Sequence, residues 1–117
     1  MTMKQLALLA LLYLAAVAAP YAVAAEPSVL TWDGVVNATA YHVERKAAAC
    51  TASGTYTEIG TTAQGALTFT DNNTAEGATY CYRVAASNPA GKSGYSNEAG
   101  KTVPFVIPAA PANLLVR

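Results

Sequence analysis

Short stretches in which apolar and polar residues alternate run through the chain from Glu26 onward. The clearest runs cover residues 30–32, 41–43, 67–69 and 80–86, and they are rich in β-branched and aromatic side chains. A period of two places successive side chains on opposite faces of a β-strand. Turn-forming pairs such as Asp33-Gly34 and Asn88-Pro89 separate the runs. The pattern predicts an all-β chain of short antiparallel strands, arranged as a sandwich or barrel.

The N-terminal segment has a different composition. After Lys4 the residues are almost wholly apolar up to Ala19, and small residues follow at 22–25. A basic start, an apolar stretch and an A-x-A site are typical of a secretory signal peptide. We therefore predict a signal peptide over residues 1–25. The alternative is a retained membrane anchor, which needs about 20 uninterrupted apolar residues; Pro20 interrupts the run.

The net charge bears on which classes of partner the protein could bind. Loss of the signal peptide removes one of the seven Lys and Arg residues, which leaves six against seven Asp and Glu and a formal charge of −1. Binding to nucleic acid or to an anionic membrane surface requires a clustered basic face. The charge balance gives no support for either partner.

Cys50 and Cys81 are the two cysteines of the chain. In an exported protein two cysteines usually form a disulfide. The other interpretations are a metal site or a reactive thiol, but two cysteines and the single His42 fall short of the usual four zinc ligands. Export therefore favours a disulfide, which would close a loop of about thirty residues and stabilise the fold by roughly 3 to 4 kcal/mol.

Four segments resemble a fibronectin type III domain in their order and spacing. These segments are Leu30–Asp33, Ala40–Arg45, Thr68–Asp71 and Gly77–Ser93. The resemblance covers roughly residues 28–103 and implies an immunoglobulin-like antiparallel β-sandwich over residues 26–103. It also implies a core built from inward-facing residues of several strands. The predicted core residues are Trp32, Tyr41, Val43, Phe69, Tyr80, Tyr82 and Val84.

The resemblance implies that strand A is missing at the N-terminus. Only Glu26, Pro27 and Ser28 lie between the predicted cleavage site and the segment that resembles strand B. The Pro-rich tail, residues 104–117, resembles a linker followed by strand A of a next module. This segment is predicted to complete a sheet, either in its own molecule or, as the stiff spacer favours, in the next one. The alternative is a disordered tail that pairs with neither. The candidate residues for strand donation are Ala112, Asn113, Leu114, Leu115 and Val116.

The fold that the resemblance implies also predicts where the two cysteines lie relative to each other. With Tyr80 and Tyr82 facing inward, Cys81 faces outward, and Cys50 has the same phase if the strand that carries Tyr41 continues that far. Strands C and F are antiparallel neighbours in this fold. Both sulfur atoms are therefore expected on one face, at adjoining strand ends.

Candidate catalytic chemistry is sparse. Gly91-Lys92-Ser93 matches only the end of a phosphate-binding loop, and we interpret it as a turn. His42 is expected on the solvent-facing side of a strand, and Glu44 is expected to pair with Arg83 on the neighbouring strand. We predict no catalytic, cofactor-binding or metal-binding residues.

The predicted function is that of a non-catalytic extracellular interaction or adhesion module, secreted, periplasmic or at the cell surface. Its expected partner is a protein or glycan at the cell surface, with no nucleic acid and no small-molecule substrate. One alternative is a structural subunit that assembles head-to-tail by donating its C-terminal strand. Another is an accessory module of a secreted enzyme.

Overall fold

Seven β-strands follow one another in the computed structural model, which describes residues 24–117. They are β1 (Ser28–Thr31), β2 (Ala40–Lys46), β3 (Thr57–Ala63), β4 (Thr68–Asp71), β5 (Thr79–Asn88), β6 (Gly91–Tyr95) and β7 (Ala99–Thr102). Most of the predicted signal peptide, residues 1–23, lies outside the described residues. From Ala24 onward, no helix is long and apolar enough to cross a membrane.

The strands form two antiparallel sheets. β1 pairs with β4 in the smaller sheet, and the larger sheet has the order β3-β2-β5-β6, with β7 also paired to β5. β6 lies beside the second half of β5 and β7 beside its first half, so the last edge of the larger sheet is one strand interrupted at residues 96–98. The predicted all-β sandwich is confirmed, and within residues 24–117 no strand precedes β1.

Alternation along β2 and β5 builds the core between the sheets. Tyr41 and Val43 lie in one cluster with Val84, while Tyr80 and Tyr82 lie in a second cluster with Val103. Val103 is fully buried, and its N–H and C=O bond to the backbone of Ala78 and Gly77. The backbone just after β7 is therefore part of the folded domain.

The compact unit of the domain spans Ala25–Phe105. A second unit comprises Met1–Ala24 and Val106–Arg117. The described residues of that second unit contain no helix and no strand. Within the tail the apolar side chains are largely exposed, at 88% for Ile107, 87% for Leu114 and 94% for Val116.

A buried ionic network joins the two sheets. Asp71, at the end of β4, is 4% exposed and accepts hydrogen bonds from Arg45 Nη1 and the Tyr82 hydroxyl, both at 2.8 Å. Its other carboxylate oxygen accepts the backbone N–H of Asn73 at 3.0 Å. Burial raises the pKa of the Asp71 carboxyl, but these three donors outweigh burial and hold the pKa below its ordinary value. The network links the smaller sheet to β2 and β5 of the larger one.

The Tyr80 hydroxyl ties the chain before β5 to the domain. It accepts the backbone N–H of Ala75 at 3.0 Å, five residues upstream. This is the local geometry of a tyrosine corner, which fixes the entry into a central strand of such sandwiches. The Arg45 guanidinium lies over the Tyr80 ring, 4.6 Å from its centroid, and joins this corner to the Asp71 network.

Candidate functional site: the open edge of β1

Within residues 24–117, β1 has a strand partner on one side only. Its register with β4 runs from Ser28 opposite Asp71 to Thr31 opposite Thr68. Trp32 extends the ladder by donating its N–H to the Leu67 carbonyl at 3.1 Å. Hydrogen-bonded and non-hydrogen-bonded pairs alternate in an antiparallel ladder. Leu30 therefore bonds toward β4, whereas the N–H and C=O groups of Val29 and Thr31 point to the open edge.

A cleft of about 1050 Å³ lies along this open edge. β1 forms one wall, and the residues of β6, β7 and the connection between them form the other. Its floor is apolar, because Tyr82, Val84 and Ala86 of β5 reach it from the core side. The cleft thus lies between the two sheets, beside the edge of β1 that has no strand partner within residues 24–117.

Trp32 lies where the core meets the cleft. Its ring packs on Tyr41, with the ring centroids 5.6 Å apart, but the residue is half-buried and lines the cleft. Its indole N–H is buried without a hydrogen-bond acceptor among the described residues. A buried donor without an acceptor costs about 1 to 3 kcal/mol. The cleft therefore contains an unsatisfied donor beside an unpaired backbone edge.

The predicted core residues divide into two groups. Tyr41, Val43, Tyr80, Tyr82 and Val84 are at most 9% exposed. Trp32 and Phe69 lie at the margin of the core rather than inside it. Trp32 faces the cleft, and Phe69 lies against Gly60, where a Cβ atom would collide with its ring. Sequence phase alone does not distinguish a central position from a marginal one.

The Cys50–Cys81 disulfide is present and closes a sequence separation of 31 residues. Cys81 lies on the outer face of the larger sheet, yet it is 0% exposed. Tyr56 covers it, with the hydroxyl oxygen 3.1 Å from Cys81 Sγ and the O–H donated to Glu98 Oε2 at 2.6 Å. Burial and Glu98 raise the pKa of Tyr56 to about 12. Tyr56 thus covers the Cys81 side of the disulfide, whereas Cys50 is partly exposed.

The outer face of the larger sheet carries a stack of rings and cations. The Arg83 guanidinium lies between two tyrosine rings, 3.8 Å from the Tyr56 centroid and 3.6 Å from the Tyr95 centroid. Arg83 also donates two hydrogen bonds to Glu44 Oε1, at 3.0 and 2.7 Å. Burial raises the pKa of the Glu44 carboxyl, but Arg83 outweighs it and the pKa is lowered. The expected Glu44–Arg83 pair is present, and the two flanking tyrosines were not predicted.

His42 has two partners that the sequence did not indicate. Its Nε2 lies 2.7 Å from the Ser87 hydroxyl, and its Nδ1 lies 2.7 Å from Glu58 Oε1. The row crosses β5, β2 and β3 in the order serine, histidine, carboxylate, which is the order of a hydrolase triad. Cross-strand diagonals bring the three side chains together, and residue spacing along the chain does not reveal such diagonals.

The amide environment of Ser87 differs from that of a hydrolase nucleophile. Ser87 is paired with Ala40 on one side and with Lys92 on the other, beside an irregularity of the β5–β6 pairing between Ala85 and Ser87. The neighbouring Ala86 N–H is donated to Ser93 Oγ at 2.8 Å. A triad requires unengaged N–H groups directed at the developing oxyanion, and its serine commonly sits on a sharp strand-to-helix turn. Ser87, His42 and Glu58 therefore form a row of hydrogen-bonded side chains on the surface of the larger sheet.

The predicted strand-donation residues lie in the tail. Residues 112–116 are exposed and form no strand in the structure. Leu114 and Val116 lie on either side of Leu115 in the sequence, so an extended segment would present Leu114 and Val116 on one face. Their apolar side chains meet the chemical requirement of the cleft floor.

Comparisons with known proteins assign the class of this domain. Neither the protein-family models nor the curated proteins include a match to the chain. Among solved structures, it is similar to a Fn3-like protein from Clostridium thermocellum, with 30% identity over 69% of this chain and 80% of that chain, at a TM-score of 0.57. The sandwich and this relative define an immunoglobulin-like β-domain. The chain belongs to the fibronectin type III family.

Two further structures share the fold. The sixth fibronectin type III domain of human fibronectin type III domain containing protein 3 is 16% identical over 77% of this chain and 81% of that chain, at a TM-score of 0.58. The twitchin kinase region from C. elegans is 22% identical over 72% of this chain, at a TM-score of 0.57, and this chain spans 15% of its length. Domains of this fold are commonly interaction or structural modules and are typically non-catalytic.

Proposed function

We propose that the protein is a non-catalytic interaction module that takes up an extended peptide strand along the open edge of β1. The observation that carries the proposal is the one-sided pairing of β1 with β4. An unpaired edge is a template for a further strand. Strand addition supplies main-chain hydrogen bonds for affinity and side-chain pockets for specificity.

The chemistry of the edge favours a peptide over a glycan. Val29 and Thr31 offer alternating N–H donors and C=O acceptors at the spacing of a β-ladder. The adjoining cleft offers the partly exposed apolar side chains of Leu30 and Trp32, above a nearly buried floor of Tyr82, Val84 and Ala86. A strand with alternating apolar side chains satisfies both features, whereas a sugar chain lacks the matching row of amides.

The non-catalytic part of the proposal follows from the Ser87 environment. The Ala86 N–H beside Ser87 is donated to Ser93 Oγ, so it is not available to stabilise the tetrahedral intermediate of acyl transfer. We expect a fluorophosphonate probe, which labels activated serines, to leave Ser87 unmodified in the folded protein. Stoichiometric phosphonylation of Ser87, detected by peptide mass spectrometry, would contradict this part of the proposal.

The disulfide suggests a location outside the cytosol, where thiols are kept reduced. We propose that the mature protein acts after export, in the periplasm, at the cell surface or in the medium. The signal-like segment over residues 1–25 supports this placement. A protein partner in that compartment would reach β1 as an extended segment.

The proposal can be tested with a synthetic peptide of residues 108–117 as the probe. The host is the exported protein with Leu114→Asp and Val116→Asp, so that its own tail does not compete. We expect the peptide to bind, and we expect Val29→Pro to weaken binding at least tenfold because proline removes a donor facing the open edge. Isothermal titration calorimetry measures both affinities.

Val29→Thr is the matched control, since it keeps the N–H and a β-branched side chain. Val29→Pro leaves the bonds from Leu30 and Trp32 to β4 in place, and circular dichroism checks that the variant is folded. Equal peptide affinity for the Pro and Thr variants would contradict binding along this edge. No binding to either variant or to the host would overturn the proposed function.

A further inference from the structure

We infer that the strand seated on β1 is the segment Ala112–Val116 of a second copy of this chain. This inference rests on the proposed function and names the partner. It makes the protein a subunit that accepts a strand at one site and donates one from another. Such a head-to-tail contact does not close on itself and produces linear assemblies.

The tail exposes apolar side chains that a strand would bury by pairing with a sheet. Leu114, Leu115 and Val116 are 87%, 76% and 94% exposed. Three consecutive apolar side chains in water are unfavourable by the hydrophobic effect, and such patches mark interaction sites. In an extended segment Leu114 and Val116 share a face, and Leu115 occupies the other.

The cleft has the complementary features. Its floor is apolar, so it can bury the Leu114 and Val116 side chains. Val29 and Thr31 supply the free backbone groups that an antiparallel strand would pair with. A carbonyl of the incoming segment can also accept the indole N–H of Trp32, which has no acceptor among residues 24–117. One segment can therefore satisfy the apolar floor, the backbone edge and the buried donor.

Chain direction favours a second copy over the same molecule. Lys101, on β7, donates to Glu26 Oε1 at 2.6 Å and to the Pro27 carbonyl at 3.0 Å. The end of β7 therefore lies beside the start of β1. The chain leaves the domain at the end where β1 begins, and β1 runs about 13 Å away from it at 3.3 Å per residue. An antiparallel partner of β1 must start at the far end.

Self-completion would require the tail to run past β1 and then reverse. No turn is assigned within residues 103–117, and Pro104, Pro108 and Pro111 stiffen most of this part of the chain. Asn113 has a φ of 56°, so residues 112–116 must straighten at this position when they pair as a strand. The tail of a second copy approaches the far end of β1 directly and enters antiparallel. The geometry points to exchange between copies.

The test is the mass of the full exported protein by light scattering from about 1 to 500 μM. We expect the average mass to rise with concentration to at least twice that of the monomer. Leu114→Asp with Val116→Asp should give a monomer at every concentration, because it places charges on the apolar floor. Leu115→Asp is the matched control and should still assemble, since Leu115 faces away from the cleft.

Each of the other possible outcomes would overturn the inference. A full-length protein that stays monomeric throughout overturns the inference, even if peptide 108–117 binds in trans, and the proposed function then stands alone. An assembly that survives Leu114→Asp with Val116→Asp, or that Leu115→Asp abolishes equally, also overturns it. Failure of the peptide to bind the tail-disabled host removes the proposed function as well.

Discussion

Replacing Cys50 and Cys81 together by alanine is expected to lower the free energy of unfolding by about 3 to 5 kcal/mol. The bond closes a separation of 31 residues, for which the chain-entropy model gives roughly 3 to 4 kcal/mol. The truncated side chains also leave a gap beneath Tyr56, because Cys81 is fully buried. For a domain of this size, the loss corresponds to a fall of at least about 10 °C in melting temperature.

Urea denaturation with and without reductant measures this loss. Reduced wild-type protein should resemble the double alanine variant, and the variant itself should not respond to reductant. Alkylation of unreduced, denatured protein should label neither cysteine. Quantitative labelling of both cysteines, or a variant as stable as the oxidised wild type, would show that the bond does not stabilise the domain.

Asp71→Asn is expected to lower the free energy of unfolding at pH 7 by about 2 to 4 kcal/mol, somewhat below the range for breaking a fully buried ion pair. The amide keeps the size of the carboxylate but removes the charge that Arg45 faces, 2.8 Å away. Arg45 reaches solvent with 22% of its side chain, which moderates the loss. Asp33→Asn, in an exposed loop, is the matched control and should change stability by less than about 0.5 kcal/mol.

This stabilisation depends on pH. Because the pKa of Asp71 is lowered in the folded state, its contribution is complete above the unfolded value of about 3.9 and is lost as the pH falls through the lower folded value. The wild type should therefore lose stability in acid more steeply than Asp71→Asn, and the two unfolding curves should converge. A stability difference between them that stays constant from pH 7 down to pH 2.5 would contradict this role.

The strand pattern was accessible from sequence where a strand alternates between buried and more exposed positions, as the first half of β2 does. β6 is exposed along its whole length, so burial gives it no such pattern. Period-two alternation identified the strands that carry Tyr41, Val43, Tyr80, Tyr82 and Val84, and the order of the segments identified the family. The cysteine pair followed from the predicted export and from strand phase. These features could be predicted because they depend on residue spacing within each strand and on the known strand order of the fibronectin type III fold.

Features that depend on exact register were not accessible. The row Ser87–His42–Glu58 and the bond from Arg45 to Asp71 join residues that are 45, 16 and 26 positions apart. A bulge after Val43 and another irregularity near Ala85 shift the pairing, and no sequence signal locates them. Periodicity also could not show that Trp32 would line a cleft, because its exposure depends on whether a strand pairs with the other side of β1, and none does within residues 24–117.

Backbone amide exchange along β1 tests the open edge most directly. In the chain with Leu114→Asp and Val116→Asp, the amides of Leu30 and Trp32 should be protected by β4, while those of Val29 and Thr31 should exchange as unbonded groups. Saturating peptide 108–117 should protect Val29 and Thr31 and leave the other two unchanged. Val29 and Thr31 amides that exchange equally fast with and without the bound peptide would contradict strand addition at β1.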